Sequence, residues 1–117
     1  MTLLVQKFGG TSVGTVERIQ SIARKIALSK EEGNDLVIVV SAMGQTTDEL
    51  TNLASAISNN PPAREIDMLL ASGEQVSIAL LAIALNDLGL HAISMTGSQV
   101  GIITESAHSR ARILEIR

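Results

Sequence analysis

The sequence predicts an α/β domain: a three-layer α/β/α sandwich around a mainly parallel sheet. Three observations predict it. Short β-rich runs alternate with stretches of helical periodicity, the order that makes crossover connections between parallel strands. One of those runs, Leu36 to Val40, is apolar without a break, as in a strand covered on both faces. The 117 residues are 45% hydrophobic but only 1% aromatic, so the core has to be packed from Ile, Leu, Val, Ala and Met. That set suits helices laid against a sheet, and the length suffices for one domain without disulfides or a structural metal.

The first element is a strand from Leu3 to Phe8, ended by Gly9-Gly10. Val16, Ile19, Ile22, Ala23, Ile26 and Ala27 then recur at helical spacing, with Glu17, Arg18, Gln20, Arg24 and Lys25 on the opposite, solvent-facing side. Gly33-Asn34 ends this helix. Leu36 to Val40 is the second strand, placed centrally in the sheet. After Ser41-Ala42-Met43-Gly44, the pattern Thr46-x-x-Glu49 predicts a capping box, followed by Leu50, Leu53, Ala54 and Ile57 as a buried stripe. Asn59-Asn60-Pro61-Pro62 stops that helix.

Ala63 to Leu88 reads as helical, with an interruption expected at Ser72-Gly73 because glycine costs about 1 kcal/mol in a helix interior relative to alanine. Its second part, Val76 to Leu85, is apolar on nearly every side and is expected to be sandwiched within the protein. Gly89 is placed to cap it before a third strand, His91 to Met95. Ile102 to Thr104 and Arg112 to Ile116 are two further short strands, giving the order β-α-β-α-α-β-β-β. Ligands of such sheets bind at the carboxyl ends of the strands, where Gly9-Gly10, Ser41 and Thr96-Gly97 fall.

Several classes are excluded or disfavoured. A net charge of -3 and a pI near 5.3 leave no basic patch for nucleic acid. The absence of cysteine removes disulfides, thiolate nucleophiles and Cys-based metal sites, and His91 and His108 stand too far apart to read as a ligand pair, so no metal site is predicted. The apolar stretch Ile78 to Leu85 falls well short of the roughly 20 residues that span a bilayer. No charged leader opens the chain. A cytoplasmic protein is expected.

Four constellations could carry chemistry. In Lys7-Phe8-Gly9-Gly10-Thr11-Ser12, adjacent glycines let backbone N–H groups approach an anion, the following helix adds its dipole, and Lys7 adds a full charge for a phosphoryl group. The spacing is neither the Walker pattern nor the dinucleotide fingerprint, and a structural turn with a surface lysine is the plain alternative. Ser41 to Asp48 offers hydroxyls and N–H groups at a strand end, though Thr46 equally serves as a helix cap. In Ala71-Ser72-Gly73-Glu74, a carboxylate stands before the most apolar helix. It is either paired with a substrate ammonium group or is an exposed Glu in a helix's first turn. Thr96 to Gly101 is a polar glycine loop that borders the pocket or simply turns the chain. His91 and His108 read as strand-end and loop residues, and the methionines as start and packing residues.

Together, Lys7 to Val13, Val40 to Leu50, Ala71 to Glu74 and Thr96 to Gly101 closely resemble the aspartate kinases of the amino acid kinase family, across essentially the whole chain. The resemblance implies an amino acid kinase-like fold and ATP-dependent, Mg²⁺-assisted phosphorylation of the side-chain carboxylate of L-aspartate, the first step toward lysine, threonine and methionine. By position, Lys7 would stabilise the transferring phosphoryl group, and Phe8, Gly9 and Gly10 with it would hold the nucleotide phosphates. Ser41, Thr47 and Glu74 would line the aspartate site, Glu74 pairing with the α-ammonium. The substrate carboxylate is itself the nucleophile, so catalysis is positioning plus charge neutralisation.

Family members continue with a substrate-binding arginine, a nucleotide-holding segment and regulatory ACT domains. Residues 1–117 are therefore expected to be the N-terminal, substrate-binding part of the catalytic domain, doubtful in activity alone and part of a homo-oligomer when full-length. Two other readings stand beside this one. A kinase of another carboxylate, such as acetylglutamate, would lack the Lys7 to Ser12 string in this form. A non-catalytic binding or assembly module would keep the anion cradle without turnover.

Overall fold

The structure, a computed structural model, describes residues 2–97 and 99, together with the backbone of two strand segments, 102–104 and 113–116. The first strand, β1 (Leu3–Phe8), pairs in parallel with β2 (Asp35–Val40), in the register Leu3 to Asp35 through Phe8 to Val40. Between them run a 3-10 turn (Gly10–Val13) and helix α1 (Val16–Glu31). Thr15 caps α1, its hydroxyl accepting from the Arg18 amide at 3.2 Å.

Helices α2 (Thr46–Ile57) and α3 (Ala63–Asp87) follow β2, and β3 (Ile102–Thr104) pairs antiparallel with β4 (Ile113–Ile116) as a separate two-stranded sheet. The α/β class and the parallel arrangement of the first two strands are as the sequence predicts.

The core joins one side of the sheet to two helices. Ile19, Ile22, Ala23 and Ile26 of α1 meet Val40 of β2 and Leu81 and Leu85 of α3, with Val13 of the 3-10 turn fully buried among them. Phe8, Leu36 and Ile38 pack against this cluster from the sheet. The alternate positions, Leu3, Val5, Val37 and Val39, are exposed. The expectation that β2 is covered on both faces is thus met on one face only among the described residues. An unbroken apolar run marks what a strand can bury, and the cover for the second face has to come from elsewhere.

Other differences have local causes. Helix α3 is continuous over 25 residues, without the expected break at Gly73. Gly73 is buried there, and a Cβ at that position would stand 3.1 Å from Thr46 Cγ2, 3.2 Å from Leu50 Cδ1 and 3.3 Å from the Ala42 methyl. The glycine therefore admits close helix packing, which offsets its propensity cost. Unbroken, α3 is the one helix among the described residues long and apolar enough to cross a bilayer, which corrects the shorter span read from Ile78 to Leu85. It is not sandwiched: Ser77, Leu81 and Leu85 are buried while Val76 and Ile83 are exposed.

The capping box is also absent. Thr46 is the first residue of α2 and makes no capping hydrogen bond, its methyl packing near Gly73 instead. Helix α2 has no buried residue, and Leu53 and Ile57 of its expected stripe are exposed. The stretch 91–95 is not a strand and has no ladder partner among the described residues; the Ala92 carbonyl accepts instead from the Asn86 side chain at 3.0 Å. Before it, α3 ends as predicted at Gly89, where the Leu90 amide donates to the Leu85 carbonyl at 3.1 Å and Gly89 has a φ of 86°.

Candidate functional site

The parallel pair sends both chains off the same end of the sheet, and the two departing loops are bonded backbone to backbone. Ser41 N donates to the Phe8 carbonyl at 3.2 Å, and Gly44 N to the Gly10 carbonyl at 2.8 Å. The approach at Gly10 is so close that a Cβ there would lie 2.9 Å from the Ala42 carbonyl oxygen, inside any real contact. A Cβ on Gly14 would meet Gly44 Cα at 3.7 Å. The glycines of the first loop are thus required partly by the second. Gly9 is different: no atom of the described residues lies within 4 Å of an added Cβ, so the space in front of it is open among them.

The third segment joins through Gly73, whose neighbours Ala42, Thr46 and Leu50 all belong to the loop after β2 or to α2. Three of the four constellations are therefore adjoining at one end of the sheet. The fourth stands by itself in a local turn, the Thr96 amide donating to Gln99 Oε1 at 2.8 Å and the Gln99 amide to Thr96 Oγ1 at 3.3 Å. Ser98, Val100, Gly101 and His108 lie outside the described residues.

Lys7 is exposed on the uncovered face of the sheet, beside Val39 in the register, and makes no ion pair among the described residues. Phe8 points to the opposite, helix-covered face and is half-buried. Ser41 is half-buried directly after β2. Thr47 is exposed in the first turn of α2, its carbonyl accepting from the Thr51 hydroxyl at 2.8 Å.

Glu74 is exposed in the middle of α3, next to Gly73. It is exposed, but the unbroken helix puts it mid-helix rather than in a first turn, which corrects that part of the sequence reading. Its exposure leaves it open to a ligand. Among the described residues no hydrogen bond joins the side chains of Lys7, Ser41, Thr47 and Glu74, and no group of three acidic or histidine residues could hold a metal ion.

A cavity of about 410 Å³ lies elsewhere, between α1, β2, α3 and residues 90–95. Its lining is largely Ile, Leu and Ala with Lys30 and His91, and it includes none of the predicted site residues. What sequence reading missed is Arg18, placed among solvent-facing residues. Its Nη1 donates to the Thr11 carbonyl at 2.7 Å, a bond to the glycine turn that helical periodicity alone does not reveal.

A parallel strand pair whose two carboxyl-end loops interlock through glycine defines an α/β domain with a polar, glycine-lined end, the place where such folds take ligands. The chain belongs to the amino acid kinase family, whose model matches residues 2–117. It is 60% identical over 116 residues to the Aspartokinase of Geobacillus stearothermophilus and 58% identical to Aspartokinase 2 of Bacillus subtilis (strain 168). Each match covers 99% of this chain and 28% of the relative. A crystal structure of aspartate kinase from Synechocystis matches with a TM-score of 0.84 and 63% identity, over 86% of this chain and 17% of that one. The chain thus spans little more than a quarter of the length of the relatives it matches.

Proposed function

We propose that residues 1–117 form the substrate-side part of an aspartate kinase catalytic domain, and that the whole protein phosphorylates the side-chain carboxylate of L-aspartate to 4-phospho-L-aspartate. The supporting observation is the interlocking of the turn after β1, the loop after β2 and the Gly73 stretch of α3 at one end of the sheet. Relatives at 58 and 60% identity carry the name aspartokinase.

In this reading ATP supplies the phosphoryl group and Mg²⁺ offsets part of its charge. The described residues fit the phosphate end of the nucleotide, because Lys7 is an exposed cation without an ion-pair partner among them and Gly9 fronts open space. They do not supply a metal cage, so the phosphates themselves would be the main ligands of Mg²⁺. Lys7 holds charge near the transferring group, and Phe8, Gly9 and Gly10 set the backbone against the phosphates. Ser41 and Thr47 orient aspartate by its polar groups. Glu74 pairs with the α-ammonium. The cytoplasm, a homo-oligomeric assembly and a place at the head of lysine and threonine biosynthesis complete the proposal.

The test grafts this chain onto Aspartokinase 2 of Bacillus subtilis in place of the 116 residues it matches. Aspartate-dependent ADP formation is expected from the graft. Lys7→Ala should lower kcat by about 100-fold or more, as for loss of one charge-stabilising donor. Glu74→Gln should raise the KM for aspartate about tenfold with a smaller loss of kcat. Undiminished activity in both variants would sink the site assignment.

A further inference from the structure

We propose that Arg18 is a positioning residue that holds the glycine turn after β1 through the carbonyl oxygen of Thr11. The proposal rests on the reading of that turn as the phosphate-holding element. Two adjacent glycines make the turn loose by itself, since each has more backbone freedom to lose than any other residue. Something must fix it. The structure offers three ties: the Gly44 amide on the Gly10 carbonyl at 2.8 Å, the fully buried Val13 side chain, and Arg18 Nη1 on the Thr11 carbonyl at 2.7 Å.

The Arg18 tie is the only side-chain hydrogen bond to the turn among the described residues. The Thr11 carbonyl also accepts from the Gly14 amide at 3.2 Å, while the Ser12 amide donates to the Gly9 carbonyl at 3.1 Å. A charged donor on Thr11 polarises the Thr11–Ser12 peptide, so it strengthens the Ser12 bond that closes the turn. Arg18 also contributes its backbone N–H to the Thr15 cap, and that bond survives any change of side chain. One residue thus ties the helix start to the turn, and its two contributions are separable by mutation.

The test uses this chain grafted into Aspartokinase 2 of Bacillus subtilis, with amide hydrogen–deuterium exchange resolved by mass spectrometry. Arg18→Met keeps most of the apolar stem and removes every donor, Arg18→Lys restores one donor, and Lys25→Met removes an equal charge from the same helix. Amide exchange at Ser12 and Gly14 is expected to quicken about tenfold in Arg18→Met, the size of one lost charged hydrogen bond, and to stay within about threefold of the parent in the other two. In the same graft, Mg-AMP-PNP is expected to slow exchange across Gly9 to Ser12, with affinity about fivefold weaker in Arg18→Met only. Unchanged exchange in Arg18→Met would overturn the proposal, and so would equal weakening by Lys25→Met, which would indicate general electrostatics. A parent turn that ignores the nucleotide analogue would instead remove the phosphate reading, while the exchange rates still decide whether Arg18 holds the turn.

Discussion

At the scale of single residues, the informative positions are those where small size or polarity is imposed by a neighbour. Gly10 faces backbone, which cannot swing aside, so Gly10→Ala should destabilise the fold by about 1–3 kcal/mol as overpacking. A thermal or denaturant melt checks this. Ser77 is the opposite case. It is fully buried in α3, and its hydroxyl has no hydrogen-bond partner among the described residues. Replacing it with alanine removes an uncompensated polar group, and Ser77→Ala is expected to raise stability by about 1 kcal/mol. A lower melting midpoint for that variant would show that the hydroxyl is satisfied in solution. The exposed Lys30–Asp35 pair, 3.2 Å apart between the end of α1 and the start of β2, is worth less than about 1 kcal/mol and should not register in the same assay.

At the scale of elements, α3 shows what is legible in a sequence and what is not. Its start after Pro61-Pro62 and its end at Gly89 follow from local stereochemistry, and both were readable. Its continuity through Gly73 was not, because the residues that make glycine useful there, Ala42, Thr46 and Leu50, lie far away in sequence. Gly73→Ala sets a helix-propensity gain of about 1 kcal/mol against contacts at 3.1 to 3.3 Å, and the net expectation is a loss of about 1 kcal/mol. A gain in a urea melt would mean that α2 yields easily. The same logic applies elsewhere. β1 and α1 were legible from periodicity, whereas residues 91–95 have strand composition but no partner to pair with among the described residues. In the site, the glycine turn and the loop after β2 were legible as motifs. Their backbone bonding to each other, and the Arg18 tie, depend on tertiary placement that spacing does not encode.

At the scale of the whole molecule, the dominant feature is asymmetry of cover. One face of the β1–β2 pair carries the core, and the other shows Leu3, Val5, Val37 and Val39 to solvent. Bare apolar strands associate unless charge or covering structure prevents it. The isolated chain is therefore expected to self-associate with rising concentration, and the double variant Val5→Lys/Val37→Lys to remain monomeric in sedimentation velocity with its melting midpoint little changed. Persistent oligomers in that variant would place the association elsewhere. The relatives are more than three times as long, so they have ample further polypeptide for such a face.

Phe8 joins these scales in one ring. It is the sole aromatic residue, it packs against the core, and the next residue is Gly9 of the turn. A protein without Trp or Tyr is nearly dark at 280 nm, which makes routine absorbance and intrinsic-fluorescence titrations blind to it. The same poverty gives an uncrowded aromatic proton spectrum, in which the Phe8 ring, beside two histidine imidazoles, reports both the integrity of the core and the state of the turn.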